Sequence, residues 1–479
     1  MKQIKTILLI LVITVFYSSC EDSFLSPELE TGINADNYFK NDAEIEAGVL
    51  NIYDGIQGVN QLQITNNNFN HGVQVEFYLT EMRSDNTETK SNEGEAAQFE
   101  FFNVEATNGL VDDYYRSYYN VIFRANLVLE NLGTASATKS PVFEGEAKFL
   151  RAYSYFNLVR LFGDVPLVDK LISPLDKQTA FTRVASTQIY DLIVSDLQTA
   201  ISNLDDNGPN DRGSKAAAEG ILAKVYLTLG RYSEAQTLLE SIMNPSRGFA
   251  LESNFKDVFY NEGNDEVLFA IGFLPDSRLN SQSFSAEWLN AVGRTSGVNY
   301  ASLDAKTVLD ANGGNRTQYS YREDQAQAGK YQVVKYLPDG DTNLGIAPTS
   351  ADPRSAGNDW VVLRYADILL MHVEAIMAGG ASTTSTNAIS SFQKVRDRAG
   401  LTTAVTSISE DELLLERRVE LAFENHRFFD LLRFGKAQDV FSAYSAANGL
   451  GYSSTDLLLP IPQREINIGN GQLSQNPGY

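Results

Sequence analysis

Between Glu144 and Phe162, apolar side chains occupy almost every face of one helical period. Phe149, Tyr153 and Phe156 share one side, while Tyr155, Val159 and Phe162 share another. A helix that is hydrophobic nearly all round cannot lie on a surface and has to be wrapped by other elements. Gly163 and Pro166 supply its stop. The chain must therefore provide further helices around this one, and 479 residues of 43% hydrophobic composition are enough to do so.

Helical period is strong in three more places. Ser214 to Leu229 carries Ala217, Ile221, Leu222 and Val225 on its apolar side. Gly230-Arg231-Tyr232 turns the chain, and Ser233 with Gln236 predicts a capping box for a helix through Leu238, Leu239 and Ile242, with Pro245 past its end. This helix–Gly-x-Tyr–helix unit resembles a tetratricopeptide repeat, with an ordinary helical hairpin as the alternative. A further helix is predicted over Val361–Ala378, stopped by Gly379-Gly380. The last runs over Glu410–Phe434, with Ser409 and Glu412 as its capping box and Gly435 beyond. Two regions break the pattern. Residues 60–110 hold Asn66-Asn67-Asn68 and Arg83-Ser84-Asp85-Asn86-Thr87 with little helical period. Residues 250–358 are rich in Gly, Asn, Ser and Tyr, with Val267–Ile271 as a strand. Irregular stretches of such length usually serve a function.

Asp and Glu number 61 against 38 Lys and Arg, a formal charge of −23. That balance argues against nucleic acid, whose phosphates need clustered cations, and against charge-driven adhesion to an anionic membrane. The single cysteine excludes intramolecular disulfides and multi-cysteine metal sites. Its position is informative. Lys2 and Lys5 precede a largely apolar run, Ile7–Phe16, then Ser18-Ser19 and Cys20. Ten residues are too few to cross a hydrocarbon core, which takes about 20; the arrangement is that of a secretory signal. It resembles a bacterial lipobox, with Tyr17 where an aliphatic residue is usual, and a cleaved signal with an incidental cysteine is the alternative. Lipidation at Cys20 makes residues 1–19 a signal peptide and 20–35 a polar tether. Residues 36–479 then form one domain with long inserts at about 60–110 and 250–358. Glu21-Asp22 resemble the acidic surface-export signal of Bacteroidetes lipoproteins.

A set of longer motifs runs through the body. Phe143-Glu144-Gly145-Glu146-Ala147-Lys148-Phe149-Leu150-Arg151-Ala152-Tyr153 leads on to Leu161-Phe162-Gly163-Asp164-Val165-Pro166-Leu167. Leu363-Arg364-Tyr365-Ala366-Asp367-Ile368-Leu369-Leu370 and Val395-Arg396-Asp397-Arg398-Ala399-Gly400-Leu401 follow. Then come Glu416-Arg417-Arg418-Val419-Glu420-Leu421-Ala422-Phe423-Glu424, Arg427-Phe428-Phe429-Asp430-Leu431, Leu459-Pro460-Ile461-Pro462 and the closing Gln475-Asn476-Pro477-Gly478-Tyr479. In content and order these blocks resemble the SusD/RagB family. Asn425 stands where glycine is usual, and His372 where tyrosine is common. The resemblance implies a mostly α SusD-like fold, with tetratricopeptide-like helix pairs as scaffold and irregular, partly β inserts for the ligand. It also implies a lipid-anchored protein on the outer face of the cell outer membrane. Such a protein captures oligosaccharide or polysaccharide and delivers it to a SusC-like TonB-dependent transporter, with no catalysis and no cofactor. Oligopeptide capture of the RagB kind and a secreted α-helical glycosidase are the alternatives.

The charged motifs have their own physical reading. Arg417 with Glu420, and Glu424 with Arg427, stand three residues apart and can pair. On so apolar a segment, buried charges must be paired, which favours an ion network over a catalytic dyad. Arg364 with Asp367 receives the same reading. Asp339-Gly340-Asp341-Thr342-Asn343 resembles the start of a calcium loop, but Leu344 and Ser350 occupy positions that need Gly and Glu, so a turn is expected and no metal site. No Gly-x-Ser-x-Gly elbow or His-Glu-x-x-His occurs. Sugar rings offer CH faces to aromatic side chains and hydroxyls to polar ones. The candidate ligand contacts are therefore Trp288, Tyr300, Tyr319 and Tyr321 in the long insert, with Arg83, Asp85 and Asn86 from the early loop. Trp288 is the foremost, and core packing is the competing assignment for each aromatic. A marine algal polysaccharide such as ulvan, alginate or laminarin is a suggested ligand.

Overall fold

The computed structural model describes residues 38–60, 70–90, 94–173, 175–289 and 298–479. Residues 1–35 with Cys20, and Asn66-Asn67-Asn68 of the early insert, lie outside these. The first four helices build the core. Helix α1 (Asp42–Gln57) is N-capped by Asn41 and α2 (Gly109–Asn131) by Asn108, in each case a side-chain oxygen accepting from two first-turn N–H groups. Helix α3 (Ser140–Phe162) is the predicted all-round apolar helix. Every residue from Phe149 to Val159 is buried, enclosed by α1, α2 and α4 (Ser186–Asn203). Helix α5 (Lys215–Thr228), capped by Ser214, turns at Gly230 (φ +69°) into α6 (Tyr232–Ile242). Helices α7 (Tyr365–Met377) and α8 (Thr386–Arg398) follow. From α1 to α8 each helix packs on the next in chain order, as stacked helix pairs do. Helices α9 (Glu410–Glu420), α10 (Arg427–Arg433) and α11 (Ala437–Asn448) follow, and further helices such as Leu303–Asn312 lie between the labelled ones. Among the described residues no helix is long and apolar enough to cross a membrane.

The inserts supply short strands: β1 (Thr87–Thr89), β2 (Val267–Ile271), β3 (Asn299–Ala301), β4 (Tyr321–Glu323), β5 (Tyr331–Val333) and β6 (Trp360–Arg364). One antiparallel sheet has the order β1-β3-β5-β4, with Thr87 opposite Ala301 and Tyr321 opposite Val333. A second, β2–β6, is laid on the helices through Leu363. A Cβ at Gly220 of α5 would stand 2.4 Å from a Leu363 methyl, so glycine is what lets this ladder approach.

Three predicted helices are corrected. Val361–Arg364 is strand, not helix; so short an apolar run suits either state, and pairing with β2 decides it. The Ser233–Gln236 capping box is not formed, because α6 starts two residues earlier, with Arg231 at the N-cap position and paired with Glu234. The predicted Glu410–Phe434 helix keeps its Ser409–Glu412 capping box but stops at Glu420. Phe423 (φ +66°) and Asn425 (φ +61°) are left-handed there. Their N–H groups donate to the two carboxylate oxygens of Glu81, at 3.2 and 3.1 Å, and Asn425 Nδ2 donates to Glu76 Oε1 at 3.0 Å. Asn tolerates this backbone region better than most side chains, which explains why it can stand in for glycine.

The charged motifs form a buried network, but with partners from other elements than the adjacent ones expected. Arg364 pairs with Glu266, Glu420 and Glu424 at 2.6–2.8 Å. Arg316 and Arg398 also reach Glu420, and Lys335 reaches Glu424. Arg417 holds Asp367 and Asp430 at 2.8 Å, and Asp367 also takes Lys224 at 2.7 Å. Surrounding guanidinium groups hold the Glu420 carboxyl well below its ordinary range despite burial. Every acid is neutralised from several sides, so removing one member would strand buried charge.

Candidate functional site

A cleft of about 380 Å³ opens where the C-terminal half of α1 meets the end of β2 and the approach to β6. That volume lies within the range of about 300–1,000 Å³ typical of small-molecule sites. Helix α1 contributes Leu50, Tyr53, Asp54, Ile56 and Gln57 at helical spacing. The chain leaving β2 adds Ile271, Gly272, Phe273 and Leu274, and Gln57 Nε2 ties it down by donating to the Gly272 carbonyl at 2.6 Å. Asp211, Glu262, Asn280 and Asp359 complete the lining. Leu50 and Leu274 are unusually open for leucines, at 48% and 59% exposure, and Leu279 on the same loop is 53% exposed.

The polar groups are held differently. Tyr53 donates its hydroxyl to Glu146 at 2.6 Å and accepts from the Gly213 N–H at 2.7 Å, with the Arg212 guanidinium 5.1 Å from its ring centroid. Burial and the Glu146 carboxylate push its hydroxyl well above the ordinary tyrosine range. Asp54 is paired with Arg124 at 2.7 Å. Asp359 accepts the Phe273 N–H at 2.9 Å, but burial, with Glu262 and Asp211 nearby, pushes its carboxyl up to about 7. A smaller recess of about 50 Å³ shares Glu262 and Asp359 with the cleft and is also lined by Asn210, Asn264 and Asn358. The arrangement offers carboxylate acceptors beside apolar walls, which is chemistry for holding a hydroxyl-rich molecule.

The residues proposed from sequence as ligand contacts lie elsewhere, and most are built into the core. Trp288 is 1% exposed, its ring among Phe77, Phe423 and Tyr336 at centroid distances of 5.4–6.5 Å. A ring enclosed in that way has no open face for stacking, so Trp288 is corrected to a core residue. Tyr300 is fully buried and donates its hydroxyl to Asp324 at 3.0 Å. Tyr319 is half-buried beside Leu289, Val334 and Leu337. Tyr321 is half-buried, donating to Asp310 and packed on Tyr331. Arg83 lies 4.2 Å over the Phe428 ring and donates to the Leu79 and Asp456 carbonyls. Asp85 pairs with Arg427 at 2.8 Å and Arg418 at 3.1 Å, and Asn86 bridges Glu81 and Arg418. These three hold the early loop against α9 and α10. In the suspected calcium turn, Arg322 reaches both Asp339 and Asp341, so a guanidinium already neutralises them. Sequence reasoning missed the cleft because its acids come from four distant segments, none of which forms a motif.

Comparison with known proteins adds a second line. A family model described as "SusD family" matches residues 262–479, and one described as "Starch-binding associating with outer membrane" matches residues 37–227. SusD-like protein P2 of Formosa agariphila is 26% identical over the whole of both chains. A solved structure described as a laminarin-binding SusD-like protein is 25% identical with a TM-score of 0.76, covering 92% of this chain and all of that one. Surface glycan-binding protein A of Bacteroides thetaiotaomicron, solved with laminarihexaose, shares the fold at 21% identity and a TM-score of 0.75, covering 91% of this chain and 99% of that one.

Proposed function

The chain belongs to the SusD family, and from that premise we propose that it is a glycan-binding protein of the outer membrane. In this reading a lipid on Cys20 anchors it facing outward, and it passes captured oligosaccharide to a SusC-like TonB-dependent transporter. The observation that carries the reading is its likeness, over the full length of that chain, to a protein described as laminarin-binding. The cleft beside α1 supports it: carboxylates and amides can meet hydroxyls, while Leu50, Phe273 and Leu274 can meet CH faces. The "outer membrane" wording of the model matching residues 37–227 supports the location. Of the residues proposed from sequence, the half-buried Tyr319 and Tyr321 remain proposals for outer contacts.

Affinity gel electrophoresis against laminarin, starch and xyloglucan tests the binding. Retardation without new reducing ends is the expected result, and no retardation by any glycan would reject it. Metabolic labelling with a fatty-acid analogue tests the anchor, with label expected on wild type and lost in Cys20→Ser. One observation favours a second reading. A carboxyl at about 7 beside two other acids has the electrostatic profile of a glycosidase acid. New reducing ends that disappear in Asp359→Asn would decide for hydrolysis.

A further inference from the structure

We propose that the cleft between α1 and the β2–β6 ladder takes an uncharged, hydroxyl-rich sugar unit and excludes units bearing uronate or sulfate. This rests on the glycan-binding reading above and adds the charge class of the ligand. Asp211, Glu262 and Asp359 line the cleft, and no ion pair to Lys, Arg or His is formed by any of them among the described residues. Asp54, the fourth acid, is taken by Arg124. No Lys or Arg lines either the cleft or the adjoining recess among the described residues, and Arg278 on the neighbouring loop does not reach their walls.

A second feature points the same way. Asn358 lines the recess, is 4% exposed, and accepts from Thr349 through Oδ1 at 2.8 Å, yet its Nδ2 is buried without a hydrogen-bond partner. A buried amide donor left open normally finds an acceptor. An ionised carboxylate only accepts, whereas a sugar hydroxyl both donates and accepts. A hydroxyl-rich unit in the cleft can therefore donate to its acids with its CH faces on Leu50, Ile271, Phe273 and Leu274, while Asn358 lines the adjoining recess that shares Glu262 and Asp359. A uronate or sulfate would bring an acceptor-only anion against the carboxylates of Asp211 and Glu262 in a partly desolvated cleft, a repulsion that acts as a filter.

The test runs the full chain in affinity gels containing neutral laminarin, starch or xyloglucan, anionic alginate or ulvan, or cationic chitosan. Wild type should be retarded by at least one neutral glycan and by neither anionic one. The Asp211→Asn, Glu262→Gln, Asp359→Asn triple variant should narrow the preference for neutral over anionic glycan at least tenfold. Glu262→Gln alone, at an exposed position, should narrow it about twofold to threefold and does not risk the fold. Alginate or ulvan bound as tightly as the best neutral glycan, chitosan bound more tightly than any neutral one, or an unchanged preference in the folded variants would overturn the filter while leaving glycan binding intact. Wild type retarded by nothing in the panel would reject the glycan-binding reading and the filter with it.

Discussion

Asp359→Asn should stabilise the protein at alkaline pH and leave it unchanged in acid. Burial is the main reason the Asp359 carboxyl rises from an ordinary 3.8 to about 7, with Glu262 and Asp211 adding to it and the Phe273 N–H opposing. A carboxyl raised on folding keeps its proton in the native state after the unfolded chain has released it. Its contribution to stability is therefore complete below about 3.8, falls as pH rises, and is gone above about 7. The gap between those values sets a ceiling of about 4 kcal/mol, at about 1.4 kcal/mol for each tenfold change. Asp359 keeps partial solvent access, so about 1–2 kcal/mol is the expected gain. Asparagine retains an oxygen to accept from the Phe273 N–H and carries no charge to desolvate. Scanning calorimetry from pH 3.5 to 8.5 should show the variant's Tm matching wild type at the acid end and exceeding it by about 1–4 °C at pH 8.5. The same gain at both ends of the range, or a variant less stable at pH 8.5, would refute the reasoning.

Trp288→Ala removes a ring packed on Phe77 and Phe423 and should cost about 3–5 kcal/mol, seen as a lower Tm; lost glycan retention at an unchanged Tm would return Trp288 to the site. Burial and the Lys224 ammonium push His426 down to about 3, with Arg417 adding to this and Asp367 and Asp430 opposing. Its contribution is full above the ordinary 6.5 and declines as pH falls toward 3, by about 1.4 kcal/mol per pH unit. His426→Gln should flatten that part of the stability profile in denaturant titrations, and superimposable acid limbs would contradict it. Asn425→Ala loses the bond to Glu76 and places an ordinary side chain at φ +61°, for about 1–3 kcal/mol by denaturant midpoint. Asn425→Gly should cost less, and equal losses would show that backbone strain plays no part.

How far the sequence could be read depended on where each residue finds its partners. Helix α3 was legible because its packing is written into its own period, and the Ser409–Glu412 cap because both members lie within one turn. The stop at Glu420 was not, since the group that holds the turn, Glu81, lies 342 residues away from Phe423 along the chain. The switch from β6 to α7 was hidden because Val361-Val362-Leu363 fits a strand or a buried helix equally until β2 is beside it. Among site residues the same rule worked against chemistry-led choice. The large apolar body that suits Trp288 to a sugar face suits it still better to the core, and the charges at Arg83 and Asp85 are consumed by Phe428 and Arg427. The charged blocks of the motifs are thus residues that hold elements of this chain together. Asp211, Glu262 and Asp359 sit in turns or strand flanks with no pattern around them, and only the placement of β2 against β6 and α1 makes them neighbours.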